Sequence, residues 1–265
     1  MRHWGPMNSD QIQSSKITLD NLYLTNESVQ LEAVRSNSVG QSFSTPYFYI
    51  PEKDQEKDPW DYQINKYGFR GKDWTFKKTP AFFGCSCTFG IGVKVPGSEI
   101  LADMMQIESI PNLGLPGAST VNIIKTFAAF VNYHPVSDAF IIIPPLTRLF
   151  LPKKEDTNSK WRYVNYIPNH VREPRKYHKN VYRVFTDEIC YSYAVDYIDW
   201  ATIVAKTHNI KIHWGAWDTD TYKFLVDIVD SPFMWKYNYG SPARDGKHPG
   251  SQSHIEMAKQ CYKLL

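Results

Sequence analysis

The side chains in this sequence best suited to chemistry are a serine, a histidine and an aspartate. Ser86 stands in the small-residue segment Gly84-Cys85-Ser86-Cys87 directly after an apolar run, and Asp245 and His248 lie close together near the C-terminus. A serine hydroxyl is a weak nucleophile, so it needs a base within hydrogen-bond reach and a third group that fixes the tautomer of that base. The residue types therefore fit a nucleophile (Ser86), a base (His248) and an orienting acid (Asp245).

The cysteines that flank Ser86 leave other chemistry open. Cys87 could itself be a nucleophile if a base were aimed at its sulfur, whereas Cys85 is expected to be a small buried packing residue, because neighbours on an extended strand point to opposite sides. A Cys-x-Cys pair can also bind a metal, but Cys190 and Cys261 do not supply the spacing of a zinc site. We therefore predict no metal site, and reduced thiols in a cytoplasm-like compartment.

Apolar runs alternate with helical periodicity from Pro80 onward. The apolar runs predict strands at residues 81–85, 110–115, 139–143 and 210–214. The helical periodicity predicts helices at residues 98–108, 121–133, 187–208 and 251–265. This alternation predicts parallel strands joined by crossover helices. In such a sheet ligands bind outside the carboxyl ends of the strands, and the first predicted strand delivers Ser86 to that edge.

Two segments do not follow the alternating pattern. Residues 1–75 are polar and irregular, which indicates an N-terminal extension packed on a main domain of residues 76–265. Residues 150–185 are charged, aromatic and punctuated by proline, which indicates an insertion after the third strand. An insertion of this kind is expected to lie over one face of the sheet and to shape a substrate pocket.

Composition and charge exclude several classes of protein. With 42% hydrophobic and 15% aromatic residues, the 265-residue chain is expected to be globular. The formal net charge of +3 is spread along the chain, so neither nucleic acid nor an anionic membrane is an expected partner. Neither a signal-peptide pattern in the first ten residues nor a run of 18 apolar residues is visible, which predicts a cytoplasmic location without a membrane span.

Three segments together resemble a known family. Gly84-Cys85-Ser86-Cys87-Thr88-Phe89-Gly90, Asn112-Leu113-Gly114-Leu115-Pro116-Gly117 and Asp245-Gly246-Lys247-His248-Pro249 are similar to blocks I, II and V of the SGNH/GDSL hydrolases, in the order of that family. The resemblance covers roughly residues 80–265. Upstream, Ile64-Asn65-Lys66-Tyr67-Gly68-Phe69-Arg70-Gly71 looks like the lead-in found in members with a Gly-Cys-Ser version of block I.

The resemblance implies both a fold and a reaction. The fold is an αβα flavodoxin-like parallel sheet, and the reaction is ester hydrolysis through an acyl-enzyme, without a cofactor. Ser86 would be the nucleophile, His248 the general base and then the general acid, and Asp245 the residue that orients His248. The oxyanion hole of the family maps to the backbone N–H groups of Ser86 and Gly117.

The sequence departs from the family at the third oxyanion donor. Block III of the family has an asparagine after the central strand, but this chain has Pro144-Pro145-Leu146-Thr147-Arg148 there. Thr147 or Arg148 could donate a replacement hydrogen bond to the oxyanion hole. Arg148 could instead pair with a carboxylate of the insertion.

The sequence predicts a nucleophile, but it leaves alternatives for the substrate and for whether the chain is a catalyst. Carbohydrate esters of acetyl or other short acyl groups are the substrates that the resemblance suggests. An aromatic platform for a sugar could come from Trp214, Trp217 and Tyr222, with Asp218 and Asp220 on its hydroxyls, although aromatic residues at strand ends more often pack at the rim of the core. The rival hypothesis is a non-catalytic binding or structural protein with this fold, for example in a virus particle. His254, on the last predicted helix, is expected to face solvent.

Overall fold

A parallel five-stranded sheet organises the computed structural model, which describes residues 63, 65, 69–154, 161–166, 185–243, 246 and 248–265. The strands are β1 (Thr79–Gly84), β2 (Asn112–Gly114), β3 (Val136–Ile143), β4 (Leu149–Lys154), β5 (Trp161–Tyr166), β6 (Lys211–Ala216) and β7 (Phe233–Met234). The helices are α1 (Ser86–Phe89), α2 (Gly97–Met104), α3 (Thr120–Val131), α4 (Asp187–Thr207), α5 (Thr219–Ile228) and α6 (Ser251–Leu264). The main sheet has the order β2-β1-β3-β6-β7, and β4 pairs with β5 in a separate antiparallel ribbon.

The strand order makes this a flavodoxin-like, three-layer α/β fold. Counted within the main sheet alone, the strands follow the order 2-1-3-4-5 that defines the flavodoxin-like doubly wound class. Helix α2 packs against α6, and α3 packs against α4, which in turn contacts α5 through the Tyr191 and Phe224 rings. The fold class expected from the sequence is confirmed.

The core lies where β1 and β3 run side by side. Both strands are covered by helices on their two faces, and such strands are continuously apolar, not alternating. Phe82 of β1 stacks on Phe140 of β3 with ring centroids 4.9 Å apart, and both side chains are fully buried. Burial of these rings removes a large apolar area from water, which is the main stabilising contribution to the sheet.

The structure also has elements that the sequence analysis did not predict. Helix α5 follows Asp218, whose Oδ1 accepts a hydrogen bond from the Thr221 N–H as an N-cap. Helix α2 ends at Met104, four residues before the predicted end. The predicted insertion contains the β4–β5 ribbon; the rest of the insertion and nearly all of the predicted N-terminal extension lie outside the described residues.

Gly114 of β2 allows helix α1 to pack closely against the sheet edge. A Cβ atom on Gly114 would lie 2.2 Å from the Phe89 backbone nitrogen and 2.7 Å from Phe89 Cα. Because these are backbone atoms, the contact cannot be relieved by turning a side chain. The close packing of α1 against β2 therefore requires glycine at this position.

We expect Gly114→Ala to lower the free energy of unfolding by about 3 kcal/mol, since overpacking against a rigid neighbour has a cost of this order. Urea unfolding followed by tryptophan fluorescence measures the change. An unchanged urea midpoint would contradict the close approach of α1 and β2.

Candidate active site

Ser86 lies at the carboxyl edge of the sheet, at the first residue of the four-residue helix α1. β1 has β2 on one side and β3 on the other, so Ser86 stands where the strand order reverses, which is where ligands bind in folds of this class. A Cβ atom on Gly84 would lie 1.9 Å from Thr88 Oγ1 and 2.7 Å from Thr88 Cβ. Glycine at residue 84 therefore lets the chain turn sharply from strand to helix and present Ser86.

The structure brings Ser86 and His248 together across 162 residues of sequence. His248 Nε2 lies 2.9 Å from Ser86 Oγ, which is hydrogen-bond distance. His248 belongs to the segment before α6, which is closed by a hydrogen bond from Ala243 N–H to the His248 carbonyl at 2.8 Å. Ser86 is 7% exposed and His248 is partly buried. Asp245, the predicted orienting acid, lies outside the described residues.

The turn that contains Gly117 follows β2, which is joined by hydrogen bonds to the segments on both sides of Ser86. Leu115 N–H donates to the Gly84 carbonyl at 2.9 Å, and Asn112 Nδ2 donates to the Thr88 carbonyl at 3.0 Å. Residues 115–118 form a turn with a 3.0 Å hydrogen bond from Ala118 N–H to Leu115 O, and Gly117 has φ +79°. A Pro-Gly pair with positive φ at the glycine defines a type II turn, whose own hydrogen bond does not use the Gly117 N–H.

Arg148 lies in a turn after β3. In the strand order β2-β1-β3, Ser86 follows the middle strand, Gly117 follows the strand on one side and Arg148 follows the strand on the other. Its guanidinium carbon is 5.5 Å from the centroid of the Trp217 ring, a cation–π distance. Within the described part of the chain, the buried Arg148 Nη1 has no hydrogen-bond partner. Thr147, the other candidate for the third oxyanion donor, is half-buried in the same turn. The carboxylates of the insertion, Glu155, Asp156 and Glu173, lie outside the described residues, so the alternative pairing of Arg148 stays a prediction.

The two cysteines beside Ser86 form a buried thiol pair. The hydrogen bond from Cys87 lowers the pKa of Cys85 well below its usual value, and the positive charge of Arg148 acts in the same direction. Burial raises the pKa of Cys87, which keeps its proton. Both cysteines are free. Because the thiolate is the reactive form of cysteine, these shifts disfavour Cys87 as the nucleophile.

The residues predicted to bind a sugar have structural contacts of their own. Trp214 is buried in β6, and Tyr222 packs against the core from α5. Trp217 is half-buried and stacks on Tyr237 with centroids 5.0 Å apart. Asp218 caps α5 through Oδ1, whereas its buried Oδ2 has no hydrogen-bond partner among the described residues. Trp217 thus lies beside Arg148, while Trp214 belongs to the core.

Arg70 is a residue near the site whose role the sequence did not reveal. Its side chain is 2% exposed, and its guanidinium donates to the carbonyl groups of Phe89, Gly90, Val93 and Lys94, which form the turn after α1. Three of these hydrogen bonds are buried, and the Gly90 carbonyl also accepts from the Val93 N–H. Arg70 therefore fixes the loop that follows α1. The only sequence signal for Arg70 was its place in the lead-in segment, residues 64–71.

His254 corrects one expectation from the sequence. It was expected to face solvent, but it is fully buried, because the packing of α6 against α2 covers this side of the helix. The Gly97 N–H donates to His254 Nδ1 at 3.1 Å, so the neutral ring carries its proton on Nε2. Burial, together with the positive charge of Arg70 and the nearby His248, lowers the pKa of His254 to about 3.

This buried histidine should make the protein less stable in acid. The unfolded chain binds a proton on His254 below pH 6.5, whereas the folded chain does not do so until about pH 3. Stability therefore falls as the pH drops through this interval, by up to about 1.4 kcal/mol per pH unit from this residue. His254→Asn keeps an acceptor for the Gly97 N–H but has no titrating ring, so its free energy of unfolding should fall less steeply. Equal slopes for the two proteins in urea unfolding at several pH values would contradict the assignment.

Membrane-spanning helices and metal-binding clusters are both absent from the described residues. None of the helices there combines the length and apolar character needed to cross a membrane. The same residues contain no group of three or more His, Cys, Asp or Glu side chains that could hold a metal ion.

Comparison with known proteins gives a structural likeness. No family model matches the chain, and no curated protein matches it. A solved structure described as a "putative lipolytic protein of G-D-S-L family" from Desulfitobacterium hafniense DCB-2 is similar at 12% sequence identity and a TM-score of 0.44, over 71% of this chain and 100% of that chain. What the protein does must therefore be inferred from the geometry of its own site.

Proposed function

We propose that this protein is a serine ester hydrolase that works through an acyl-enzyme on Ser86. The observation that carries the proposal is the 2.9 Å distance between Ser86 Oγ and His248 Nε2 at the carboxyl edge of the sheet. A neutral imidazole with its proton on Nδ1 accepts the Ser86 O–H through Nε2, which is the arrangement that activates a hydroxyl nucleophile. A histidine that only packed beside a serine would not need this alignment.

The reaction proceeds in two acyl transfers. Ser86 Oγ attacks the ester carbonyl while His248 Nε2 takes its proton, and the same proton then passes to the leaving alcohol as the ester C–O bond breaks. Water next attacks the Ser86 acyl ester, again with His248 as base, and releases the acid. Asp245 is proposed to hold the Nδ1 proton of His248.

The oxyanion that forms in each transfer is proposed to lie between β1, β2 and β3. Ser86 is the first residue of a helix, and the first N–H groups of a helix have no partner inside it. The Gly117 N–H is not used by its turn, and the buried Arg148 Nη1 has no hydrogen-bond partner in the described part of the chain. One donor of this kind typically contributes about 3 kcal/mol to the transition state. Arg148 thus fits the place of the absent asparagine better than the shorter Thr147.

The alcohol part of the substrate is proposed to be a carbohydrate hydroxyl bound near Trp217 and Asp218. Trp217 is half-buried beside Arg148, and Asp218 Oδ2, which has no hydrogen-bond partner among the described residues, is an acceptor suited to a sugar hydroxyl. Transfer of acetyl or another short acyl group from such a hydroxyl to water needs no cofactor.

Labelling with a fluorophosphonate probe tests the proposal. An activated serine displaces fluoride from the probe, and mass spectrometry of the peptides then identifies the modified residue. We expect one adduct on Ser86 in the folded protein and none after urea unfolding. Absence of an adduct on Ser86 in the folded protein would overturn the hydrolase proposal and favour the rival, a non-catalytic binding or structural protein such as a virion component.

A further inference from the structure

We propose that two copies of this protein form a dimer in which a basic patch of each copy binds an acidic patch of the other. The acidic patch consists of exposed residues on α4 and at the end of α5: Asp196, Asp199, Trp200, Ile203, Asp227 and Asp230. The basic patch consists of exposed residues next to β1 and α3: Phe76, Lys77, Lys78 and Tyr133. The dimer is independent of the proposed reaction at Ser86.

The outer face of α4 combines carboxylates with large apolar side chains. Residues three or four positions apart share one face of a helix, and four residues of the acidic patch have this spacing: Asp196, Asp199, Trp200 and Ile203. They lie opposite the side of α4 that packs into the core through Ala194, Ile198, Ala201 and Ala205. Ile203 is 62% exposed and Trp200 is 38% exposed. Large apolar side chains that share an exposed face are typical of a surface that binds another protein.

The end of α5 adds two carboxylates to this face. Both helices connect neighbouring parallel strands, so they run in the same direction, and the Tyr191 and Phe224 rings meet with centroids 5.3 Å apart. This contact sets Asp227 and Asp230 level with residues 194–197 of α4. Negative charge at the C-terminal end of a helix is unfavourable. The two carboxylates therefore do not stabilise α5, and a cation from another molecule would relieve their repulsion.

The charge of the chain is unevenly distributed. Residues 187–230 contain eight Asp or Glu and three Lys, a net charge of −5 in a chain whose net charge is +3. The remaining residues therefore carry a net charge of +8. A second copy of the chain thus supplies the opposite charge that the acidic patch requires, whereas contact between two acidic patches would be repulsive.

The basic patch has an aromatic side chain that is both exposed and fixed. Phe76 is 69% exposed, the largest value among the large apolar side chains that the structure describes. Its ring stacks on His134 with centroids 5.4 Å apart, and His134 stacks in turn on the buried Phe130 at 4.7 Å. A ring that is already held in place loses little entropy on binding. The exposed Lys77 and Lys78 follow Phe76 directly and supply the positive charge.

The positions of the two patches fit a closed dimer. Lys78 directly precedes β1 and Tyr133 follows α3, so the basic patch lies at the amino edge of the sheet. The acidic patch lies on the second half of α4, which runs towards the same edge, and α3 packs beside α4. A two-fold axis between the patches can therefore pair each basic patch with the acidic patch of the other copy. The carboxyl edge, with Ser86, lies outside the contact.

Sedimentation equilibrium of the full chain measures the dimer. We expect a concentration-dependent dimer at low salt. Raising NaCl from about 0.05 to 0.5 M should weaken it by about tenfold or more, because salt screens the opposite charges. Phe76→Ser should also weaken the dimer by about tenfold or more, since each contact loses an apolar ring. A wild type that remains monomeric at every protein concentration would overturn the proposal.

Charge reversal tests the pairing of the two patches. Lys77→Glu/Lys78→Glu should be monomeric, and so should Asp227→Lys/Asp230→Lys, because like charges then face each other. An equimolar mixture of these two variants should form dimers again, since both contacts of the mixed pair join opposite charges.

The matched control changes two exposed lysines outside both patches. Lys94→Glu/Lys263→Glu alters the net charge as much as the lysine reversal in the basic patch, and it should form the dimer as the wild type does. Thermal unfolding of all variants establishes that they fold.

Each remaining outcome would overturn the dimer in a recognisable way. If the two reversed variants stay monomeric when mixed, or if the control variant also dissociates, the pairing of the patches is wrong. Assemblies larger than a dimer would overturn the closed two-fold arrangement. A monomeric wild type that binds anionic phospholipid vesicles through Phe76, or a lysine-rich amphipathic peptide through Ile203, would give these surfaces other occupants.

Discussion

Ser86→Ala is expected to reduce ester hydrolysis by about four orders of magnitude or more, because the nucleophile and its base act as a unit. The fold should be unaffected, since the change removes one hydroxyl whose partner is His248 and leaves the strand-to-helix turn intact. The measurement is kcat for p-nitrophenyl acetate, with the free energy of unfolding from urea titration. We expect His248→Ala to lose a comparable factor in kcat.

Two further variants make the result for Ser86 interpretable. Ser98→Ala removes another buried serine hydroxyl, one without a hydrogen-bond partner among the described residues, and should keep full activity. Cys87→Ala should also retain activity, because the raised pKa of Cys87 keeps it protonated. Equal rates for the wild type and Ser86→Ala would remove Ser86 from the mechanism, and loss of activity in Cys87→Ala alone would move the mechanism to the thiol.

The sheet could be predicted from sequence because its central strands are apolar on both faces. Runs such as Phe140-Ile141-Ile142-Ile143 are short, continuously apolar and rich in β-branched residues, which favours a buried strand. The structure places this run in the middle of the sheet. Helix α5 was missed although a signal was present. Asp218 precedes Tyr222 and Leu225 with the spacing of an N-cap and an apolar helix face, but the aspartate was interpreted as a ligand for sugar hydroxyls.

The site was predictable only in part, for a reason that His254 illustrates. The pairing of Ser86 with His248 follows from motifs in a fixed order, but the burial of His254 depends on which helix packs on α6. Its partner Gly97 is 157 residues away, and no local pattern encodes that contact. The placement of Arg148 over the Trp217 ring, with its Nη1 unpartnered among the described residues, likewise depends on contacts that only the fold brings about.

Arg70→Ala is expected to lower the free energy of unfolding by about 3–5 kcal/mol, the largest effect among the stability variants. Arg70 Nη1 donates to the Phe89 carbonyl at 3.1 Å and to the Gly90 carbonyl, and Nη2 donates to Val93 at 2.6 Å and Lys94 at 2.9 Å. Removing the guanidinium takes a donor from four carbonyl groups, three of which are in buried hydrogen bonds, and leaves a cavity beside the Phe89 ring.

The geometry of the guanidinium, and not its charge alone, should account for this stabilisation. Arg70→Lys keeps the positive charge, but an ammonium group lacks the planar fork of a guanidinium and cannot reach two pairs of carbonyl groups. It should therefore recover less than half of the free energy of unfolding that Arg70→Ala loses. Lys72→Ala removes an exposed positive charge two residues away and should change the free energy of unfolding by less than about 0.5 kcal/mol. Urea unfolding of the three variants decides between the two causes. If Arg70→Lys is as stable as the wild type, the positive charge, and not the hydrogen bonds from the guanidinium to four carbonyl groups, holds the loop after α1.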